Sequence, residues 1–289
     1  MINFSPDPAH LFDRISKSVH AIWSKTAFRP DIAIILGTGL GNLTKNVQTE
    51  AAIPYGRIPY FPHSTVQSHA GRLVFGVLSG RRVVVMDGRF HYYEGYSLEH
   101  VTFPVRVLRK LGAKVLLVSN AAGGLNQQYK RGDLVLISDH INFMGVNPLI
   151  GPHDDRLGVR FPDMSEPYSK RLISLAEKAA AENKIQIRKG VYMGVSGPNL
   201  ETAAEYRLMH SLGADLVGMS TVPEVIVGVQ AGFEILGISV VTDLCDPHHL
   251  KPVNIEEIIQ VANQAGPTLD RLVEAVVAKI PDVHERKAV

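Results

Sequence analysis

Continuous apolar runs punctuate the chain and predict strands that are buried on both faces. These runs lie at residues 31–36, 114–119, 133–138 and 234–242. A further strand is predicted at residues 190–196. The segments 72–78 and 82–87 flank the turn sequence Ser79-Gly80-Arg81, and this arrangement predicts a β-hairpin.

Between the strands, apolar residues recur with helical spacing. The pattern predicts helices at residues 8–23, 98–111 and 169–182. A capping box from Asn254 to Glu257 predicts the start of a C-terminal helix that is expected to kink at Gly266-Pro267. Strands that alternate with helices favour a single α/β domain over residues 1–289, with a mixed, mainly parallel sheet covered by helices on both faces.

The stretch from Val195 to Glu224 has a dense combination of turn, helix and strand signals. Gly197-Pro198 marks a turn, and Glu201 follows in the predicted first turn of a helix, where the helix dipole favours an acid. A short buried strand at residues 215–220 then leads into a second helix. Glu201 and Ser220 are therefore expected where α/β proteins build sites.

Composition narrows the class of protein. The 289 residues are 45% apolar and 20% charged, as in ordinary globular proteins. The net charge is only +2 and the basic residues are scattered, whereas nucleic-acid binding asks for a clustered basic face. Cys245 is the single cysteine, which excludes an internal disulfide and is compatible with a reducing cytoplasm. Its side chain is expected to be buried.

The N-terminal residues do not predict export. Charged residues interrupt the stretch where a signal peptide would need an apolar core. A cytoplasmic location is therefore expected.

Polar residues follow the predicted strands. They are Thr38, the loop from Arg89 to Glu94, Asn120-Ala121, Ser220 and Asp243. Because the carboxyl ends of parallel strands share an edge where α/β folds place ligands, these residues are expected to gather there. Arg89 and His91 are two positions apart on an extended segment, so both are expected to point to one side and to suit an oxyanion.

The glycine-rich loop from Gly37 to Gly41 has two interpretations. Its backbone N–H groups could bind an anion, or the turn could need glycine only for steric reasons. Asn42 occupies the place of the third glycine of the dinucleotide fingerprint, and the Lys-Ser/Thr pair of a P-loop is missing. Neither a dinucleotide site nor a P-loop is therefore favoured. No compact set of metal ligands accompanies His91, which disfavours a metal site.

Eight ordered sequence blocks run through most of the chain. They are ILGTGLG (35–41), HAGRLVFG (69–76), GRFHYYEGY (88–96), NAAGGLN (120–126), GDLVLISDHINF (132–143), RFPDMS (160–165), SGPNLETAAE (196–205) and GADLVGMSTVPEVIV (213–227). Together they resemble the trimeric class of purine nucleoside phosphorylases, which are related to the methylthioadenosine phosphorylases. The resemblance implies reversible phosphorolysis of purine ribo- and deoxyribonucleosides to free base and pentose 1-phosphate, in purine salvage.

The resemblance also implies partners and assembly. Phosphate is a co-substrate, no metal or organic cofactor is expected, and neither nucleic acid nor a membrane is an expected partner. A homotrimer with sites at subunit boundaries is implied. The predicted loop at residues 139–161 agrees with this assembly, because so long a loop in a compact domain is usually functional or makes contacts between subunits.

Carried over position by position, the resemblance implies roles for individual residues. It places phosphate among Thr38, His69, Arg89, His91, the Ala121 backbone N–H and Ser220. It places the nucleoside among Tyr93, Phe161, Leu200, Glu201, Met219, Asp243 and Ile255, with Phe161 reaching a neighbouring subunit's site. Glu201, Asp243 and His91 are the implied catalytic residues.

Three of these positions depart from the family pattern. Asp243 stands where the family usually has an Asn that donates to N7 and O6 of a 6-oxopurine. Leu200 replaces a Phe beside the base, and Ile255 lies near the place of a His for the ribose 5′-hydroxyl. Methylthioadenosine phosphorylases also have an Asp at this place and an apolar residue near the 5′ position. A preference for 6-aminopurine or 5′-methylthio nucleosides is therefore an alternative.

The two carboxylates suit different bases. Ionised Glu201 fits the N1–H of a 6-oxopurine, whereas ionised Asp243 only accepts and suits a 6-amino group. Two acids near one ligand push their pKa values apart, so one of them could hold a proton. A protonated Asp243 could donate to N7 and preserve the turnover of inosine and guanosine.

Two other functions stay open at this point. A non-catalytic nucleoside-binding trimer could have lost turnover when Asn became Asp, although the intact set of Arg89, His91, Glu201 and Ser220 argues against it. A nucleosidase that uses water would not need a phosphate site. Incubation of inosine with and without phosphate separates the three functions.

Overall fold

The computed structural model describes residues 8–37, 41–62, 70–250 and 252–281. The strands in these ranges are β1 (Ile32–Ile35), β2 (Gln48–Pro54), β3 (Arg72–Leu78), β4 (Arg81–Asp87), β5 (Val115–Gly124), β6 (Leu134–Asn142), β7 (Ile187–Gly194), β8 (Leu216–Gly218) and β9 (Glu234–Leu244). The helices are α1 (Pro8–Trp23), α2 (Leu98–Lys110), α3 (Lys170–Glu182), α4 (Ala203–Ser211), α5 (Val222–Gln230) and α6 (Ile255–Lys279). Short 3₁₀ turns occupy Gly41–Asn46, Tyr55–Arg57, Tyr92–Glu94 and Asp155–Leu157.

All of these strands belong to one sheet, in the order β2-β3-β4-β1-β5-β8-β7-β6-β9. A further parallel pairing joins β9 to β5, so β5, β8, β7, β6 and β9 close into a ring. Closure pairs backbone groups that would otherwise remain at the edges of the sheet. The parallel pairs are β1–β4, β1–β5, β5–β9, β6–β7 and β7–β8, and the antiparallel pairs are β2–β3, β3–β4, β5–β8 and β6–β9. The expected mixed α/β sheet is confirmed.

The centre of the sheet is apolar on both faces. All four residues of β1 are buried, and β5 is buried without interruption from Val115 to Asn120. Helix α1 packs on α2, α2 packs on α5, and α6 contacts both α3 and β9. Continuous burial explains why the central strands were evident as apolar runs, since neither face can carry polar side chains.

The predicted elements differ from the structure at several places. Strand β6 continues to Asn142, so the first residues of the predicted loop at 139–161 are strand. Asn120 and Ala121 lie inside β5 and not beyond its end, because pairing with β9 continues to Gly124. Strand β2 was not predicted, since most of its side chains are exposed and it has no continuous apolar run.

Within the described ranges, none of the helices combines the length and the apolar character that crossing a lipid bilayer requires.

Candidate active site

A cavity of about 310 Å³ lies where the loop after β4 meets β5, β8 and β9. Ten of the predicted site residues line it: Arg89, His91, Tyr93, Ala121, Leu200, Glu201, Met219, Ser220, Asp243 and Ile255. They come from widely separated parts of the sequence, and the single sheet brings together the strands that precede or contain most of them. The expectation that these polar strand-end residues gather at one place is met for the residues that the structure describes.

Three predicted site residues are not among those that line the cavity. Thr38 and His69 lie outside the described residues. Phe161 is 85% exposed and is not part of the cavity wall within this subunit. Its predicted contact with a neighbouring subunit's site stays a prediction.

The start of the glycine-rich loop has a steric requirement. A Cβ atom at Gly37 would lie 2.8 Å from Cα of Asn120 and 2.8 Å from the carbonyl oxygen of Ser119. The Gly37 N–H also donates to Ser119 Oγ at 3.3 Å. Close approach of the end of β1 to β5 therefore explains Gly37 itself. Residues 38–40 of the loop lie outside the described residues, so its two interpretations stay open.

Arg89 is the most deeply buried charged residue of the site, with 1% of its surface exposed. Its guanidinium donates to the carbonyl oxygens of Ser119 and Ile35 and, at 3.1 Å, to Thr221 Oγ1. Its Nε lies 3.6 Å from Glu224 Oε1, whose side chain is also buried. A buried charge needs such pairing because its desolvation costs several kcal/mol, on the order of 20 in the idealised limit.

Thr221 connects this arginine to the rest of the site. Its hydroxyl also accepts from Asn120 Nδ2 at 2.9 Å, and its backbone N–H donates to Glu224. Thr221 has a φ of 69° and a ψ of −52°, and non-glycine residues rarely adopt such a positive φ. These bonds hold the strained residue in place at the start of α5, directly after Ser220.

Sequence reasoning missed the parts played by Thr221 and Glu224. Their spacing, Thr-x-x-Glu before an apolar helix, is the signature of a capping box and could have been found. The link from Glu224 to Arg89 could not, because the two residues are far apart in sequence.

His91 is fixed by a carboxylate and a ring. Its Nδ1 lies 3.0 Å from Glu94 Oε1, which also accepts from the His91 backbone N–H at 2.8 Å. Because a carboxylate only accepts, Nδ1 carries a proton in this arrangement. The Tyr93 ring stacks on the imidazole with centroids 4.7 Å apart. Burial, followed by the charge of Glu94, raises the pKa of the Tyr93 hydroxyl to about 12, so it stays a donor at neutral pH.

Two carboxylates, Glu201 and Asp243, line the same cavity. Glu201 precedes helix α4, whose N-cap is Thr202 and whose first-turn acid is Glu205, so the predicted helix start was two residues early. Burial raises the pKa of Glu201, and the nearby charge of Asp243 adds to the rise. Thr242 Oγ1 donates to Asp243 Oδ1 at 2.9 Å.

Tyr206 and Cys245 line the same cavity and belong to one cluster of buried residues. Burial raises the pKa of the Tyr206 hydroxyl, and the nearby Cys245 and Glu201 add to the rise. The Cys245 thiol donates to Asp243 Oδ2 at 3.6 Å. Cys245 is buried as predicted, but sequence reasoning did not place it, or Tyr206, in the site. No sequence signal marks them, since Tyr206 follows the ordinary apolar spacing of a helix.

Among the described residues, no three His, Cys, Asp or Glu side chains come together in an arrangement that would bind a metal ion.

The phosphorylase superfamily model matches residues 31–278 of this chain. Purine nucleoside phosphorylase 1 of Geobacillus stearothermophilus is 51% identical over 91% of this chain and 96% of its own length. The purine nucleoside phosphorylase of Mus musculus is 49% identical over 89% of this chain and 91% of its own. The crystal structure of the Schistosoma mansoni enzyme in complex with inosine superposes with a TM-score of 0.89 at 41% identity, covering 93% of this chain and 97% of that one. The adenosine complex of the same enzyme has a TM-score of 0.89 at 42% identity and covers 93% of this chain and 98% of that one.

We expect the turn at Gly197 to be intolerant of a side chain. In Gly197→Ala the residue would keep a φ of 63°, and its Cβ would lie 2.3 Å from Met219 Sδ. The positive φ is expected to lower the free energy of unfolding by about 1–2 kcal/mol, and the clash with Met219 is expected to lower it by about a further 1–3 kcal/mol. Denaturation in urea measures this loss. Gly213→Ala is the matched control, because its φ is 88° but no atom lies within 4 Å of the added Cβ. Equal losses in the two variants would show that Met219 does not constrain the turn.

Proposed function

This chain belongs to the phosphorylase superfamily, and from that premise we propose that it catalyses the reversible phosphorolysis of purine ribo- and deoxyribonucleosides. Relatives that are 40–51% identical over most of the chain are purine nucleoside phosphorylases, so the enzyme class is that of a pentosyltransferase. A separate preference for 6-aminopurine or 5′-methylthio nucleosides is not favoured by these relatives. The observation that carries the proposal is one cavity lined both by Arg89, His91 and Ser220 and by Glu201 and Asp243.

The reaction exchanges one bond at C1′ for another. A phosphate oxygen forms a bond to C1′ while the bond from C1′ to N9 of the purine breaks, and the electron pair of that bond leaves with the base. Positive charge develops on the sugar and negative charge on the base, as in other glycosyl transfers. A bound anion near the sugar and donors on the base therefore stabilise the transition state.

Phosphate is proposed to bind at Arg89, His91, the Ala121 backbone N–H and Ser220, with Thr38 and His69 added on the resemblance. Because Glu94 holds the proton on Nδ1, a doubly protonated His91 would offer Nε2–H to the anion. Ser220 leads into Thr221 at the N-terminus of α5, where the helix dipole favours negative charge. This charge and donor arrangement supports phosphate as nucleophile over water.

The nucleoside is proposed to occupy the remainder of the cavity. Met219 offers an apolar, polarisable surface to the sugar, and Tyr93 offers a hydroxyl that keeps its proton. Leu200 and Ile255 supply apolar contacts to the base and the 5′ position. Glu201 and Asp243 are proposed to hold the purine edge.

The proposed assembly is a homotrimer in the cytoplasm, serving purine salvage. The segment after β6 carries exposed apolar side chains at Ile150, Val159 and Phe161. Such side chains are typical of a surface that is covered by a partner. Cys245 as the only cysteine agrees with a reducing compartment.

The experiment that tests the function is incubation of inosine with and without phosphate. The proposal expects hypoxanthine and ribose 1-phosphate in equal amounts, and only when phosphate is present. Hypoxanthine with free ribose in the absence of phosphate would instead show a nucleosidase. Binding of inosine without product would show a non-catalytic protein.

Arg89→Ala should weaken the use of phosphate. The loss of charge-assisted donors costs roughly 1.5–3 kcal/mol, which corresponds to about a ten- to hundredfold higher KM for phosphate. Arg89→Lys keeps a cation beside Glu224, so it is expected to fold. A higher KM for phosphate in this variant would therefore come from the lost donor geometry and not from misfolding. Arg188→Ala, which removes an exposed arginine from an ion pair with Asp133, is the control. An Arg89→Ala enzyme with an unchanged KM for phosphate would remove Arg89 from the phosphate site.

The Phe161 side chain is expected to contribute to inosine binding only in the assembled trimer. Phe161→Ala is expected to raise the KM for inosine by about tenfold, because a buried aromatic contact with the nucleoside is lost, while the sedimentation coefficient stays that of a trimer. Ile150→Ala offers a control on the same exposed segment. A fully active monomer in sedimentation analysis would contradict the shared site.

Asp243→Asn should shift the base preference toward inosine. An Asn side chain offers an N–H₂ donor to N7 and O6, whereas an ionised Asp opposes both atoms. We expect the ratio of kcat/KM for inosine over adenosine to rise by about tenfold, the equivalent of one hydrogen bond to a charged group. An unchanged ratio would mean that residue 243 does not read the 6-position.

A further inference from the structure

Three polar side chains surround the hydroxyl of Thr221, a residue with none of its surface exposed. Its Oγ1 lies 3.1 Å from Arg89 Nη1, 2.9 Å from Asn120 Nδ2 and 3.2 Å from Ser220 Oγ. All three neighbours line the candidate cavity. The direction in which the Thr221 hydroxyl donates therefore affects groups that face the proposed substrate.

The two nitrogen neighbours occupy both acceptor positions of the Thr221 oxygen. A hydroxyl has one proton to donate and two lone pairs that accept. The guanidinium of Arg89 has no acceptor, so it can only donate to Thr221. The NH₂ group of Asn120 also only donates, and it is the part of the amide that faces Thr221. No lone pair of Thr221 is left for a third donor.

This count fixes the direction of the remaining hydrogen bond, between two hydroxyls that could each donate to the other. Ser220 cannot donate to Thr221, because both lone pairs of Thr221 are in use. Thr221 therefore donates to Ser220 Oγ. Among the described residues, Ser220 Oγ makes no other hydrogen bond, so the proton of Ser220 stays available to a ligand in the cavity.

We propose that Thr221 and Asn120 are positioning residues for phosphate, because they fix the Ser220 hydroxyl as a donor into the cavity. The inference rests on the proposed function, which assigns phosphate to Ser220. A serine hydroxyl ordinarily rotates to suit its neighbours, and it would have to leave one partner before it could bind an anion. Here the competing partner is already saturated, so the donor is oriented before phosphate arrives.

Substitution of either positioning residue should raise the KM for phosphate. Thr221→Val keeps the branched shape of the side chain at a φ of 69° but removes the hydroxyl. Asn120→Ala frees one lone pair of Thr221, so that Ser220 can donate to Thr221 and not to the anion. Each variant should raise the KM for phosphate about three- to tenfold, the range of one neutral hydrogen bond.

A double-mutant cycle with Ser220→Ala separates positioning from direct contact. Ser220→Ala removes the donor itself and should raise the KM for phosphate about tenfold. In the Ser220→Ala background, Thr221→Val and Asn120→Ala should change this KM by less than about twofold, because the group through which they act is gone. Effects of full size in that background would show action through Arg89 or direct contact with phosphate, and would overturn the inference.

Two further variants control for the loss of a buried hydroxyl. Thr221→Ser keeps the hydroxyl and should bring the KM for phosphate back to within about threefold of the unmodified enzyme's. Thr102→Val is the matched control outside the cavity, since Thr102 is 1% exposed and its hydroxyl donates to the Leu98 carbonyl at 2.7 Å. It should leave the KM for phosphate unchanged. A Thr221→Ser enzyme as impaired as Thr221→Val, or an equal effect of Thr102→Val, would contradict the positioning role.

Neutron diffraction shows the donors directly in the unmodified protein, crystallised in D₂O with phosphate. The inference predicts the Thr221 deuteron toward Ser220 Oγ, the Ser220 deuteron toward a phosphate oxygen and the Asn120 ND₂ group toward Thr221. A Ser220 deuteron directed at Thr221, or an Asn120 amide that presents its oxygen to Thr221, would overturn the inference. Phosphate bound away from Arg89 and Ser220 would instead overturn the proposed function.

Discussion

The buried guanidinium of Arg89 is the constraint on which the candidate site depends. Placing a cation in the interior is unfavourable unless protein groups replace its water. Here the replacements are the carbonyl at the end of β1, a carbonyl of β5, the Thr221 hydroxyl and the Glu224 carboxylate. One side chain thus fixes the relative positions of two strands and the N-terminus of α5.

The same network accounts for the unusual backbone at Thr221. A positive φ at a threonine is unfavourable by itself, but the N–H and the hydroxyl of Thr221 are each held by buried partners. The result is that Ser220 and the start of α5 face the cavity in a fixed orientation. Hydrogen-bond donors that are already oriented before the reaction stabilise developing charge most effectively.

The base end of the cavity is organised differently. It has two acids and no basic side chain among the described residues of the cavity wall beyond Arg89 and His91. Two neutral donors, Cys245 and Thr242, donate to Asp243, and Tyr206 lines the same wall. The cavity wall thus combines a buried cation with a carboxylate that accepts from neutral donors.

The sequence predicts the central strands well because β1, β5 and β9 are buried on both faces and so consist of continuous apolar runs. Polar cavity residues such as Arg89, Ser220 and Asp243 are indicated by their places at or after the ends of strands, whereas Leu200, Met219 and Ile255 are indicated only by the family resemblance. The sequence does not predict β2, whose exposed side chains lack a pattern, the contact of Arg89 with Glu224, or the place of Tyr206 and Cys245 in the cavity wall. These positions depend on how the sheet closes, and no local pattern encodes that.

The most direct test of the central claim is a crystal structure of the protein grown with phosphate and hypoxanthine. The account predicts phosphate against Arg89, His91 and Ser220, and the purine edge between Glu201 and Asp243, in the single cavity that these residues line. Phosphate bound away from Arg89, or a base that touches neither acid, would contradict it.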